Sequence, residues 1–100
     1  MEQYIITHIK VDDKGSIFGE SIWSKVIIAE TIKQAAYIAF REVLQRYEKE
    51  IFERYYAEAT EVEWGVLKDA LTDYNHWVLL YTLEGQWLEE YSAHGLWTKG

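Results

Sequence analysis

Three histidines are the first side chains of this chain that could do chemistry. They are His8, His76 and His94, and they lack the short local spacing of many zinc sites, although distant residues can also assemble such a site. The chain has no cysteine, which removes thiolate nucleophiles and cysteine zinc ligands. Its six glycines are scattered and form no phosphate-binding loop. We therefore expect no metal and no cofactor.

Carboxylates are the second candidate group. Acid–base catalysis needs a carboxylate with a shifted pKa in a cleft, and a 100-residue domain with one core seldom encloses a substrate pocket. Same-face carboxylates on a strand lie about 6.6–6.8 Å apart, which approaches the spacing of phosphates along an extended nucleic-acid strand. We therefore expect no enzyme but a protein-binding acidic surface, with Trp64 or Trp87 as an anchor. Its predicted members are Glu61, Glu63, Trp64, Asp69, Asp73, Trp87, Glu89 and Glu90.

The charges are divided unevenly between the two parts of the chain. Residues 1–57 carry nine acids and eight bases, whereas residues 58–100 carry eight acids and only Lys68 and Lys99, within a net charge of −7. Four of the five tryptophans also lie in the second part. An acidic surface attracts basic partners, whereas proteins bind nucleic-acid phosphates with Lys and Arg. We therefore expect a basic protein partner and no direct nucleic-acid binding.

The N-terminal third predicts an antiparallel hairpin. Residues 3–11 are rich in β-branched side chains, with Ile5 and Ile9 on one face and His8 on the other. A turn composition at residues 12–15 precedes a second predicted strand, residues 17–29, with a bulge near Gly19. The last part of that strand is apolar on both faces, which predicts a central position in the sheet.

One long helix is predicted from Ile32 to about Glu58. Thr31 and Gln34 have capping-box spacing, and the apolar residues that follow share one helical face. An alternating i,i+4 series of charges starts at Glu42 and would neutralise the helix. Three large apolar residues lie on the opposite face, which predicts either a homodimer interface or cover by later parts of the chain. These residues are Ile38, Phe52 and Tyr56.

The segments after this helix are less regular. Residues 61–67 alternate as a strand would, which is the interpretation we adopt, although Thr60 and Glu63 have the capping-box spacing of a helix start. Residues 76–83 predict a strand that is apolar on both faces. Residues 86–93 fit either a return strand or a short helix.

Together these elements predict a single α+β domain over residues 1–100, with about four antiparallel strands in a ββαββ-like order packed on one long helix. The longest apolar run, residues 77–81, is too short to cross a bilayer, and the N-terminus lacks the features of a signal peptide. The lack of cysteine is usual for proteins of a reducing compartment. We therefore expect a cytoplasmic protein without membrane contact.

In size, acidity, aromatic content and lack of cysteine, the chain is similar to small phage-encoded inhibitors of host defence, such as anti-CRISPR and anti-restriction proteins. That class shares a role but no common fold, so the resemblance assigns no residue. It implies an inhibitor that blocks a basic nucleic-acid-binding surface of a defence protein. An immunity protein or antitoxin against a basic toxin has the same surface chemistry, and a small homo-oligomeric structural protein is the third alternative.

Overall fold

The helices pack on one face of a three-stranded antiparallel sheet in a computed structural model, which describes residues 1–11 and 23–94. The strands are β1 (Glu2–Lys10), β2 (Trp23–Ala29) and β3 (His76–Thr82), and β1 lies between the other two. The predicted α+β class and antiparallel pairing are confirmed. The described residues contain three strands, however, instead of the four that we expected.

The core face of β1 is the face that carries a histidine. Ile6 and His8 are fully buried, whereas Ile5 and Ile9 lie on the opposite face and are half-buried. An imidazole is tolerated in this position because it hydrogen-bonds to a second buried imidazole, that of His76 on β3. The alternation along β1 was therefore correct, but it does not reveal which face is buried.

The prediction that the second strand is central in the sheet is wrong. Among the strands of residues 1–11 and 23–94, β2 lies at an edge, and its side chains Val26 and Ile28 are 51% and 59% exposed. The reason is that β3 pairs with the other edge of β1, so that β1 takes the central place. The turn predicted at residues 12–15 and the bulge predicted near Gly19 lie outside the described residues.

The first helix, α1 (Ile32–Tyr47), begins where the capping residues predict. The Thr31 hydroxyl accepts a hydrogen bond from the backbone N–H of Gln34, and the Gln34 side chain accepts one from the N–H of Glu30. These two bonds satisfy backbone donors at the start of the helix. The apolar face of α1 packs against the sheet and buries Ala35, Ala36, Ala39, Phe40, Val43 and Leu44.

The predicted single helix is interrupted at Glu48, whose φ of −129° and ψ of 51° are not helical. The chain continues as the short helix α2 (Lys49–Ile51) and a π-helical segment (Phe52–Tyr56). No proline or glycine marks this break, so sequence signals could not locate it. None of the helices in the described ranges is long and apolar enough to cross a membrane.

The break also changes the role of the predicted charge series and of the opposite apolar face. Glu42 pairs with Lys25 of β2 instead of a helical neighbour. Phe52 is buried in the core, and Ile38 and Tyr56 pack partly against it. Cover by the same chain therefore accounts for Phe52, and the homodimer interface through Ile38 and Tyr56 stays a prediction.

Residues 61–67 form helix and not the strand that we expected. A 3₁₀ turn (Glu61–Glu63) leads into α3 (Trp64–Asp73). The capping box decides the outcome: the Glu63 carboxylate accepts hydrogen bonds from the backbone N–H of Thr60 at 2.8 Å and from its hydroxyl at 3.0 Å. α3 then buries a helical stripe consisting of Leu67, Ala70 and Leu71.

The chain after β3 folds back along the outer edge of that strand. Isolated bridges join Val78 to Ala93 and Tyr81 to Trp87, with a 3₁₀ turn (Glu89–Tyr91) between them. The buried Ser92 hydroxyl accepts from the N–H of Leu80 and donates to the carbonyl of Leu88. Neither alternative for residues 86–93 is correct as a whole, because this segment contains both bridges and a single 3₁₀ turn.

Candidate protein-binding surface

The exposed side of α3 combines apolar and acidic side chains. Val62 is 78% exposed and Val66 is 50% exposed, and Asp69 and Asp73 are also exposed. Residues three and four positions apart share a helix face, so Val66, Asp69 and Asp73 form one stripe on α3, and Val62 of the preceding 3₁₀ turn extends it. This stripe lies beside the buried residues of the helix, which are Leu67, Ala70 and Leu71. We refer to Val62, Val66, Asp69 and Asp73 as the α3 surface.

The two other predicted acids near this surface have different environments. Glu63 is held in the capping box with Thr60, and its hydrogen bonds to the backbone and hydroxyl of Thr60 lower the pKa of its carboxyl. Glu61 is half-buried in the same 3₁₀ turn. Glu63 therefore stabilises the start of α3, in addition to any role in binding.

The predicted anchor Trp64 faces inward. Its ring lies 5.4 Å from that of Tyr91 and 6.2 Å from that of Phe40, which places it between α1, α3 and the 3₁₀ turn at Glu89–Tyr91. Trp87 is more exposed, but its Nε1–H donates to Ser92 Oγ at 3.1 Å. Both rings therefore hold the chain together, and neither lies on the α3 surface.

The predicted acids do not all lie on one helix face. Glu89 and Glu90 are exposed on the turn that meets the Trp64 side of α3, where the Lys68 ammonium donates to the carbonyl of Glu90 at 3.1 Å. Asp69 follows Lys68 by about 100° around the helix and faces a different direction. The structure thus divides the predicted residues into the α3 surface and a second acidic patch at Glu89 and Glu90.

Tyrosines adjoin the acidic end of the α3 surface. The pKa of the Tyr56 phenol is raised, first by burial and then by Tyr74 and Asp73, with Tyr55 and Asp69 adding smaller effects. Tyr55 and Tyr74 are themselves exposed. Tyrosine is enriched in the cores of protein interfaces because it combines apolar area with a polar group. These rings extend the α3 surface towards the π-helical segment.

A buried chain of polar side chains lies elsewhere, between β1, β3 and the break after α1. His8 Nε2 is 2.9 Å from His76 Nδ1, and His76 Nε2 is 2.8 Å from a carboxylate oxygen of Glu48. Ionised Glu48 can only accept, so His76 Nε2 carries the hydrogen and its Nδ1 accepts from His8 Nε2–H. His8 Nδ1 is then a bare acceptor, with no hydrogen-bond partner among the described residues.

The hydrogen-bonded series of His8, His76 and Glu48, which we call the histidine chain, favours neutral imidazoles. Burial lowers the pKa of His8 to about 4, and the charge that His76 carries when protonated acts in the same direction, as do the charges of Lys10 and Arg46. Burial also lowers the pKa of His76, and the hydrogen bond to Glu48 opposes that effect. The ring of His8 is stacked on that of Tyr47, at 4.6 Å between centroids.

The histidine chain does not form a site that substrates can reach. His8 is 0% exposed and His76 is 2% exposed. Glu48 borders an open depression of about 340 Å³, together with Tyr47 and residues 49–51. Among the described residues, no group of three or more acids, histidines or cysteines could hold a metal ion. The geometry therefore fits a structural, pH-sensitive role for His8 and His76.

Sequence reasoning missed both the exposed valines and the histidine chain. Val62 and Val66 were interpreted as part of a strand, although the Thr60–Glu63 spacing was the signal that places them on a helix. His8 and His76 are 68 residues apart, and no local pattern links them.

Comparison with protein-family models, with curated proteins and with solved structures finds no match.

Proposed function

We propose that this protein is a non-enzymatic inhibitor that binds a basic, nucleic-acid-handling protein through the α3 surface. The observation that carries the proposal is the placement of two exposed valines beside two exposed acids on one helix face. Protein interfaces commonly join an apolar centre to a polar rim. This surface has that composition, and it lies in the acidic part of the chain.

The position of Asp73 supports a role in binding over a role in stability. It lies in the last turn of α3, where the helix dipole disfavours a negative charge, and this turn has no basic residue. Among the described residues, no cation pairs with Asp69 or Asp73. Acids that lower the stability of their own helix are expected where a partner supplies the compensating charge.

The wider charge distribution supports attraction over long distance. Residues 58–94 carry eight acids, and the single base among them is Lys68. Lys68 donates to the Glu90 carbonyl and lies 5.5 Å from the Trp64 ring centroid, so it is directed towards neighbouring groups of the same chain. A surface of one sign accelerates association with an oppositely charged partner and makes the rate sensitive to salt.

The proposed mechanism is steric exclusion guided by charge. Asp69 and Asp73 occupy positions that substrate phosphates would take in a basic groove, and Val62 and Val66 exclude water from the contact. The anchor that we expected at Trp64 or Trp87 is assigned instead to the two valines, because both tryptophans make contacts within the protein. The Glu89 and Glu90 patch adds to the attraction without sharing the same helix face.

The test is capture of partners from lysate of the native host at low and high salt, followed by affinity measurement with the purified partner. The double variant Asp69→Lys/Asp73→Lys should lose at least tenfold in affinity, because it places two positive charges against a basic surface. The matched control is Glu50→Lys/Glu53→Lys, which makes the same charge change at exposed positions outside the α3 surface. This control should bind within about threefold of the wild type.

Unchanged affinity of the Asp69→Lys/Asp73→Lys variant would contradict the proposal, as would a partner with an acidic binding surface. The identity of a basic partner then separates two roles of the same surface. A nuclease or another defence protein that loses nucleic-acid binding supports the inhibitor, whereas a toxin encoded beside this protein supports an immunity protein or antitoxin.

A further inference from the structure

The two edges of the sheet differ in their backbone hydrogen bonding. On the outer edge of β3, the N–H groups of Val78, Leu80 and Thr82 donate to Ala93 O, Ser92 Oγ and Gln86 O respectively. On the outer edge of β2, no strand of residues 1–11 or 23–94 pairs with the backbone. Within these ranges, β2 therefore presents a row of donors and acceptors without a partner strand, which is a template for another strand.

The pairing pattern identifies which residues of β2 present these groups. Because the N–H of Val78 points away from β1, the residues of β3 that bond to β1 are its neighbours on either side, Trp77 and Leu79. Along each strand the backbone groups alternate in direction, so the β1 residues that do not bond to β3 bond to β2 instead. By the same alternation, three residues of β2 direct their N–H and C=O groups away from β1. These residues are Ser24, Val26 and Ile28.

The same three residues carry the exposed side chains on the face of β2 that points away from the helices. Val26 and Ile28 are β-branched and more than half exposed, and Ser24 is exposed as well. The single charged residue of the strand, Lys25, points to the other face, where it pairs with Glu42 of α1. The edge therefore lacks a free charge or a proline, which are devices that commonly prevent strands from pairing.

We infer that β2 pairs with β2 of a second copy of this chain, antiparallel about a two-fold axis at Val26. In this register, Val26 lies opposite Val26 of the second copy, and Ser24 lies opposite Ile28. All six outward N–H and C=O groups of these three residues are then hydrogen-bonded. Shifting the register by two residues towards either end leaves some of these groups unpaired or uses residues outside β2. The strand is thus complementary to itself.

The second copy also continues an apolar row across the sheet. On the face away from the helices, Val26 is opposite Ile5, and Ile5 is opposite Tyr81. The two-fold axis joins this row to its counterpart, so that six strands carry Tyr81, Ile5 and Val26 followed by Val26, Ile5 and Tyr81. Cross-strand pairs of β-branched and aromatic residues stabilise sheets. This continuity favours a second copy over an unrelated strand.

The interface is small, and the dimer is therefore weak. One pair of seven-residue strands buries less than the roughly 1,600 Å² of a standard interface, which places it in the class of transient contacts. We expect a dissociation constant on the order of 10 µM or higher. The α3 surface is made by a different element, so dimerisation leaves it available to the partner proposed above.

The test is sedimentation velocity on the full chain over a wide concentration range, with folding checked by circular dichroism. The wild type should change from monomer to dimer, and Val26→Lys should remain monomeric because two ammonium groups would meet on the axis. Val26→Glu should also remain monomeric. An equimolar mixture of these two variants should form a dimer, since opposite charges then face each other. The matched control Val62→Lys changes an exposed valine of the 3₁₀ turn before α3 and should dimerise like the wild type.

A wild type that stays monomeric up to about 500 µM overturns the inference. So does a dimer that Val26→Lys leaves intact, because its interface lies elsewhere, for instance at the predicted Ile38 and Tyr56 surface. A mixture of Val26→Lys and Val26→Glu that does not dimerise also overturns it, since residue 26 then does not face its own copy.

Discussion

Charged side chains in the two parts of the molecule have different partners. In the first part, Lys25 pairs with Glu42, Arg46 lies over the Trp23 ring and Arg41 lies over the Phe52 ring at 4.9 Å. On α3, Asp69 and Asp73 have no cation beside them among the described residues. The comparison teaches that the bases are used within the fold, whereas the acids of α3 remain available for contacts outside it.

The buried histidines His8 and His76 also have their partners within the fold, and we expect the largest effect from acid, which protonates them. The folded-state pKa of His8, about 4, is below its ordinary value of 6.5, so the unfolded chain binds the proton more tightly. The contribution of His8 to the free energy of unfolding should be nearly constant above about pH 7 and should fall by roughly 2 to 3 kcal/mol from pH 7.5 to 4.5. His76 adds to this effect in the same direction.

Urea unfolding at a series of pH values measures this dependence. The control is His8→Phe, which keeps an aromatic ring against Tyr47 and removes the titrating group. Its unfolding free energy should change much less between pH 7.5 and 5.5, above the range in which most carboxylates titrate. An equal pH dependence in both proteins would assign the acid sensitivity to other groups.

The next largest effect concerns the covered edge of β3. Ser92→Ala removes the acceptor for the Leu80 N–H and the Trp87 indole N–H, and the donor to the Leu88 carbonyl. We expect a loss of about 2 kcal/mol in unfolding free energy, since buried polar groups lose their partners. Denaturant titration measures it, with the exposed Ser24→Ala as control. A loss below about 0.5 kcal/mol would show that this serine does not hold the segment.

A smaller loss is expected at the start of α3. Thr60→Ala removes the hydroxyl of the capping box and should lower the unfolding free energy by about 1 kcal/mol. The carboxylate of Glu63 still accepts from the backbone N–H of residue 60, so part of the cap remains. Thr72→Ala changes a hydroxyl in the same helix and is the comparison variant. Equal losses in both would indicate that the capping box is not responsible.

The smallest effect should have the opposite sign. Asp73→Asn removes an acid from the C-terminal turn of α3 and should raise the unfolding free energy by about 0.5 kcal/mol. The same variant should weaken partner binding, which separates the two properties in one substitution. Thermal or urea unfolding checks the first and titration with the captured partner checks the second. A variant that is destabilised would contradict the division between the two parts of the molecule.

The sequence predicted the elements whose signals are local. The Thr31 cap, the apolar face of α1 and the β-branched pattern of β1 each correspond to an observed feature. For residues 61–67, two local signals conflicted, and the alternation of valine and tryptophan was given more weight than the cap. The cap determines the structure because its bonds are made within three residues, whereas a strand would have needed a partner elsewhere.

The features that sequence reasoning missed depend on contacts between distant residues. The position of β2 at an edge follows from the pairing of β1 with β3. The histidine chain joins residues from β1, β3 and the end of α1. The helix break at Glu48 coincides with the hydrogen bond of its carboxylate to His76, and no local residue signals it. Such features require the topology of the fold.

The order of strands in the sheet also governs how the chain folds. The central strand, β1, is first in the sequence, and one of its two partners is β3, more than sixty residues later. The hairpin of β1 and β2 closes a short loop, whereas pairing with β3 closes a long one at a higher entropic cost. Long-range pairing slows folding, so docking of β3 is expected to limit the rate. During synthesis, β1 and β2 emerge from the ribosome before β3, so one edge of β1 has no partner strand until β3 has also emerged.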